Sequence, residues 1–450
     1  MAGGTFNPLA GKDRPGTYIN FKSTKTDTIG LGERGIVVVP LLNHTWGPVG
    51  EFLELTAAAP DGRMEDLGFS IYDSDANRQM LLIREAFKKA ATVYVYRLNG
   101  GTAARATASE GQPVNAAAKH KGTRGNALSF SIVANPVVQN GFDVSVYLDG
   151  SMVAEYTGLK TVADLIAQNN AYITFSGTGN LAAAAGINLT GGADTSAENA
   201  AVTAFLDKLE GIRFNTLAFP VTDNTLQSAA KTKIKYIREN IGKGVQVVMP
   251  DTTANDYEGV ISVTNSVKVG DISLTHAEAC AWVAAATAAA GNNKSNTYEA
   301  YEGAVEVVDP KSHEQAVAAI KNGELFFSVS EAGAVVVEYD INTLVTFRDG
   351  KDKSYRKNRV IRVFDTFAEM VQLNFPPNRY SNDEVGWGVM EGMGRTILRQ
   401  FEDAGAITEV DYDRDFLVDR GKSQADETYF NVGLNPVDSA EKLYFTVSTR

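Results

Sequence analysis

Residues 201–250 read AVTAFLDKLEGIRFNTLAFPVTDNTLQSAAKTKIKYIRENIGKGVQVVMP, and the alternation inside this stretch decides the fold class. AVTAFLDKLE (201–210) and SAAKTKIKYIREN (228–240) space their apolar residues as helices do. FNTLAFPV (214–221) and VQVVMP (245–250) are short apolar runs of strand type. Helix and strand taking turns is the pattern of an α/β layer. Upstream, GIVVVPLL (35–42) predicts a buried strand ended by Pro40. Residues 76–91 predict a helix through Met80, Ile83, Phe87 and Ala90, and TVYVYRL (92–98) returns as a strand. Downstream, a helix is expected over 275–290 and strands near 325–329 and 334–339.

Between these blocks the composition shifts. From 99 to 192, Gly, Thr and Ala punctuate short segments such as ALSFSIVAN (127–135), FDVSVYLDG (142–150) and MVAEYTG (152–158). Strands at roughly 10-residue spacing read as a small β-sandwich or barrel inserted into the α/β frame. Gly191-Gly192 reads as its exit hinge. The last portion has a basic segment (351–362), a helix to about 374 and another over 383–402. The acidic stretch DYDRD (411–415) follows, then two expected strands, TYFNVGLNPV (428–437) and KLYFTVST (442–449). No repeat of 20–50 residues is visible.

At 450 residues the chain exceeds one ordinary hydrophobic core, so two to four domains are expected. A net charge of −12 argues against wholesale nucleic-acid binding, which needs a broad basic surface. The single cysteine, Cys280, excludes an intrachain disulfide framework and suits a reducing cytoplasm. MAGGTFNPLAGKDRPG (1–16) has no secretory apolar region, and the Ala-rich run 277–290 is too short to cross a bilayer. The expectation is a soluble protein assembled inside the cell.

Catalytic constellations do not emerge from the sequence. The four histidines, His44, His120, His276 and His313, form neither HExxH nor a paired HxxxH, and His276 reads as a first-turn helix residue. Gly386-Trp387-Gly388 does not continue into a dinucleotide loop, and no GxxxxGK[ST] is present. Asp411, Asp413 and Asp415 open like a calcium loop, but Phe416 and Lys422 stand where Gly and Glu are required, so they read as a solvated acidic turn. Cys280 sits among alanines as a small buried hydrophobe. The reading is no enzyme, no metal and no cofactor.

Two features concern surfaces that meet other chains. Thr17, Tyr18, Ile19, Asn20 and Phe21 have strand propensity between polar, flexible flanks. At the other end Leu443, Phe445 and Val447 alternate with Tyr444, Thr446 and Ser448, giving one apolar face about 20 Å long. Such strands pair either within their own domain or by addition to a neighbour's sheet, and periodicity does not separate the two. The second feature is the basic cluster Lys351, Lys353, Arg356, Lys357, Arg359 and Arg362 in an acidic chain. On a helix from about Ser354, Arg356, Arg359 and Arg362 share one face, read either as solvated or as an electrostatic dock for an acidic partner.

RPGTYINFKS (14–23), GIVVVPLLNHTWGPVGEF (35–52), AEACAWVAAATAAAGNNKSNTYEAYEGA (277–304), DINTLVTF (340–347), YRKNRVIRVFDT (355–366) and PVDSAEKLYFTV (436–447) occur in that order. On these stretches the chain resembles contractile bacteriophage tail sheath proteins, of the Gram-positive phage or prophage-derived particle type. The resemblance implies a multidomain α/β protein: an N-terminal arm (1–25), an α/β core segment (26–99) and an inserted β-sandwich (100–192). A subtilisin-like α/β domain without a catalytic triad (193–345), a C-terminal sheath domain (346–440) and a C-terminal arm (441–450) complete it. It further implies stacked hexameric rings around a tail tube, assembled in the bacterial cytoplasm. Thr17–Phe21 and Leu443–Val447 would be extended arms that add strands to neighbours' sheets. Arg356, Lys357, Arg359 and Arg362 would be the tube-facing charges. Implied partners are other copies of the chain, the tail tube, the baseplate and the tail terminator, with no nucleic acid and no membrane insertion. A sheath from a non-viral contractile injection system is the nearest alternative. Another self-assembling shell protein or an α/β hydrolase is more remote.

Overall fold

The computed structural model describes residues 3–4, 17–18, 34–73, 77–109, 111–252 and 256–449. It divides into two units, Met1–Gly32 and Glu33–Arg450. In the first, Gly3–Gly4 and Thr17–Tyr18 pair as a short parallel ladder.

In the second unit the apolar runs become one seven-stranded sheet. Its order is Glu324–Leu325, Val260–Val263, Gln246–Pro250, Thr216–Ala218, Ile36–Leu41, Thr92–Arg97 and Phe52–Thr56. All neighbours run parallel except the antiparallel edge strand Phe52–Thr56. A parallel sheet is covered on both faces, which is why its strands read as unbroken apolar runs. Val37, Val39 and Leu41 face one core with Met80, Ile83 and Trp282, while Val38 faces another with Val202, Phe205, Ala230 and Ile234. Pro40 does not end its strand, contrary to expectation, because the ladder with Thr92–Arg97 continues to Leu41. On its other side the neighbouring strand pairs only as far as Val38, so a missing N–H at Pro40 interrupts nothing there.

The helix His276–Ala289 lies against this sheet. Thr275 and Glu278 close a capping box at its start, and residues Ala279–Ala288 are buried. It shows no amphipathic pattern because it is covered all round. Alanine lets its backbone come close enough for Thr216 Oγ1 to donate to the Ala284 carbonyl at 2.8 Å. Trp282 stacks on Tyr301 with centroids 4.3 Å apart. Cys280 is fully buried here, and burial pushes its thiol well above the ordinary range.

The inserted region forms a four-stranded sheet (Ser151–Leu159, Phe142–Leu148, Leu128–Ala134, Ala184–Asn188) and a three-stranded one (Ile173–Gly177, Val114–Ala118, Arg105–Ala106). Their inner faces share a core of Ala116, Phe130, Ile132, Val144, Val146 and Phe175. Its two crossings are strapped together: Gly101–Thr102 pairs with Ala193–Asp194. The expected hinge is bonded in place. Asn126 both donates to the Gly192 carbonyl and accepts from its N–H at 2.8 Å, and Thr102 donates to the Gly191 carbonyl at 2.9 Å. Buried Arg97 donates to carbonyls of Gly47, Gly100 and Lys121 and lies 3.6 Å from Asp194.

The C-terminal portion begins with a short 3-10 turn, Lys353–Arg356, so the expected helix from Ser354 is in fact two pieces. The long helix runs Asn358–Asn374. A second helix, Glu384–Asp403, is capped by Asp383 through the Gly386 N–H. Two short strands, Phe416–Val418 and Phe430–Val432, make an antiparallel pair. Phe367, Phe375, Phe401, Phe416 and Phe430 form its aromatic core, with Phe375 and Phe416 stacked. Gly394 is required because a Cβ there would stand 2.1 Å from the Phe416 ring. A bidentate pair, Arg238 with Asp365 at 2.8 Å, fastens the long helix to the α/β core. Asp411–Asp415 form a turn bonded through their own carboxylates.

Candidate inter-subunit interface

The small C-terminal sheet has backbone groups left open among the described residues. Its hydrogen-bonded register is fixed by Asp419 N–H to the Tyr429 carbonyl (2.8 Å) and Gly433 N–H to the Asp415 carbonyl (3.0 Å). In an antiparallel pair the residues between such bonds aim their N–H and C=O groups outward. Val418 is one of these, and it is already taken: its N–H donates to Glu391 at 3.0 Å and its carbonyl accepts from Arg420 at 3.3 Å. Arg420 also bonds Glu391 at 2.8 Å. Burial opposes ionisation of Glu391, but these contacts outweigh it and hold its carboxyl below the usual range. On the other strand Phe430 and Val432 point outward, and no partner among the described residues receives them. A two-stranded ribbon with one free edge is marginal by itself.

After this sheet the chain runs beside 406–408, with the Val437 N–H donating to the Ala406 carbonyl at 2.9 Å. It then crosses the start of the long helix. Arg359 Nη1 donates to Ser439 Oγ at 2.7 Å, and Lys357 lies 3.6 Å from Asp438. Glu441 closes the crossing. Its Oε1 accepts from Ser295 at 3.0 Å and Thr297 at 2.7 Å, and its Oε2 pairs with Lys357. Burial opposes charge on Lys357, yet Glu441 and Tyr339 raise its pKa above the ordinary value. Beyond Glu441 the segment has no secondary structure, and no hydrogen bond ties 442–449 to the described residues. Leu443 is 66% exposed, Tyr444 90%, Phe445 83% and Val447 90%. Thr446 is exposed too. The strand expected over 442–449 has the right residues but no partner among the described residues.

Two expectations need correction or delimitation. Arg356, Arg359 and Arg362 do not form a basic outer face: they are 9%, 6% and 1% exposed. Arg362 donates to the carbonyls of Thr287 and Lys294 and lies 3.6 Å from buried Asp340. Burial lowers the pKa of all three guanidiniums. Arg356 sits in the 3-10 turn, and only Arg359 and Arg362 share a face of the long helix, which turns inward onto Ser439, the carbonyls of Thr287 and Lys294, and Asp340. At the N-terminus, Thr17 and Tyr18 pair along the backbone with Gly3–Gly4, while Ile19, Asn20 and Phe21 lie outside the described residues.

Comparison with known proteins gives this geometry its context. The tail sheath protein Gp18 domain III N-terminal region matches residues 34–98, and the phage tail sheath protein beta-sandwich domain matches 99–194. The phage tail sheath protein central domain matches 195–343, and the phage tail sheath C-terminal domain matches 350–450. A Bacillus subtilis relative, phage-like element PBSX protein XkdK, is 35% identical over 99% of both chains. The chain belongs to the phage tail sheath family. The crystal structure of a sheath tail protein from Desulfitobacterium hafniense, 39% identical, superposes with a TM-score of 0.83 over 96% of this chain and 99% of that one. The helical sheath of the anti-feeding prophage in its contracted state shares the fold at 13% identity, with a TM-score of 0.56 over 98% of this chain and 100% of that one.

Glu391, Arg420 and Glu441 were not singled out in the sequence. Glu391 and Arg420 stand 29 residues apart and meet only because the Glu384–Asp403 helix packs on the sheet. Glu441 had one local signal, an acid immediately before an alternating strand.

Proposed function

We propose that this sheath subunit polymerises as stacked hexameric rings around a tail tube, and that the array contracts to drive the tube through a target envelope. The arms Thr17–Phe21 and Leu443–Val447 add strands to the C-terminal sheets of neighbouring copies. The observation that carries this reading is a pair of complementary halves in one chain. An apolar-faced segment at 443–447 is exposed, and the strand edge at Phe430–Val432 lacks a partner among the described residues. Magnitudes explain why many links are needed. Burying Leu443, Phe445 and Val447 gains about 6 kcal/mol, and ordering six backbone residues costs about as much. One arm is therefore marginal, whereas a closed mesh of arms multiplies the gain through effective concentration.

In this reading the α/β segments 26–99 and 193–345 form the body, and the sandwich at 100–192 is peripheral. The domain at 346–440 carries the receiving sheet between the arms 1–25 and 441–450. Tube, baseplate and tail terminator are the further partners. Contraction needs no nucleotide: it is a transition between two packings of rigid bodies held together by tethers. Deleting 442–450 tests the arm. The expected outcome is a folded monomer that no longer forms tubes in negative-stain micrographs, with an unchanged thermal midpoint. Tubes as abundant as those of the full chain would overturn the strand-exchange reading.

A further inference from the structure

The basic residues at the start of the long helix hold something, but inside the chain. Lys357 and Arg359 grip three side chains of the crossing, Asp438, Ser439 and Glu441. Ser295 and Thr297 complete the grip from the other side, and they belong to the loop after the His276–Ala289 helix. This loop is itself fixed: the Thr297 N–H donates to Ser295 Oγ at 3.1 Å, Thr297 Oγ1 accepts from the Asp340 N–H at 3.0 Å, and the Asn296 N–H donates to Asp340 at 2.9 Å. The Glu441 side chain is only 9% exposed, yet the next residue, Lys442, is exposed and so are residues 443–449. The boundary between held and free chain is one residue wide.

We propose that Glu441 is the anchor of the C-terminal arm: a positioning residue that fixes the arm's length and point of departure, so that assembly orders only the residues beyond it. The inference rests on the strand-exchange reading above. With Glu441 seated, the free arm is residues 442–450, reaching at most about 30 Å from the body. With Glu441 released, the next hold upstream is Arg359 on Ser439, so two more residues join the tether and its reach grows by about 7 Å. Longer slack lowers the effective concentration of the strand at the neighbour's edge and adds backbone to be ordered on docking. A carboxylate held by a lysine and two hydroxyls is charge-assisted, which suits a contact that must resist pulling along the arm.

The test compares critical concentrations for polymerisation of full-length variants by sedimentation. Glu441→Ala and Lys357→Met should each raise the critical concentration about tenfold, the equivalent of ordering one or two further residues, without changing tube diameter. Because both act on one contact, the double variant should be no worse than the single ones. A Gly-Ser insertion between Glu441 and Lys442 should reproduce the Glu441→Ala effect. The same insertion between Val437 and Asp438 should be tolerated, because it lies above the anchor. Circular dichroism of each monomer checks folding, and the insertions keep the test informative if a substitution unfolds the chain. Equal effects from both insertions, or an unchanged critical concentration in Glu441→Ala, would overturn the anchor. If instead the 442–450 deletion polymerises normally, strand exchange itself fails and the anchor falls with it.

Discussion

The seven-stranded sheet and the two-stranded C-terminal sheet are opposites. The seven-stranded sheet is covered on both faces by helices, and its central strands are paired on both sides. The two-stranded sheet at 416–418 and 430–432 has three residues per strand, one edge partly closed by Glu391 and Arg420, and one edge without a partner among the described residues. The first pairs its inner strands on both sides within the chain and so defines a rigid body. The second leaves N–H and C=O groups over, and the segment 442–449 has no hydrogen-bond partner among the described residues. In a protein whose work is to polymerise, the incomplete sheet is the informative one, because a closed sheet has nothing left to offer a neighbour.

Proline substitution at two adjacent positions breaks this comparison most sharply. Val432→Pro removes an N–H that points outward, so the monomer should keep its stability within about 1 kcal/mol while tube formation is lost. Asn431→Pro removes a bond of the chain's own ladder and should destabilise the monomer by about 1–2 kcal/mol as well. Equal behaviour of the two in urea titrations and micrographs would mean that the edge at 430–432 is not the receiving one.

The closed half of the comparison predicts a purely intrachain effect. Asp365→Ala leaves Arg238 buried without its bidentate partner and should cost about 3–5 kcal/mol in denaturant unfolding. A loss below about 1 kcal/mol would mean that the long helix is held to the core by packing alone.

A smaller effect follows from His44. Burial, reinforced by Arg97, lowers its pKa from 6.5 to about 3, so the folded chain keeps it neutral while the unfolded chain takes up a proton. Stability is then full above pH 6.5 and falls as pH drops through the window to about 3, by at most about 1.4 kcal/mol per pH unit. His120, also lowered by burial, adds to the same trend. His44→Gln, which retains groups able to bond Leu67 and Asn77, should flatten that slope; an unchanged slope would remove His44 from the account.

Much of the rigid body was legible because burial on both faces writes itself into runs such as Val37-Val38-Val39, and alternation marked the strands of the sandwich. Local spacing could not tell where a charged face would point. Arg356, Arg359 and Arg362 have the i, i+3 spacing of a surface stripe, but Asp340, Ser439 and the carbonyls of Thr287 and Lys294, which meet Arg359 and Arg362, come from distant segments. The same holds for Gly191-Gly192, where the bonds from Asn126 and Thr102 convert two flexible residues into a strap. At the C-terminus the sequence pattern was right about strand character, but a strand is a property of a pair, and the partner is not within the chain's described residues.

The most direct measurement is a cryo-electron microscopy map of the assembled sheath at a resolution that traces β-strands. The account predicts continuous density from Glu441 into residues 443–447, lying hydrogen-bonded along the Phe430–Val432 edge of another copy. Density showing that segment folded back on its own subunit, with the 430–432 edge still bare, would contradict it.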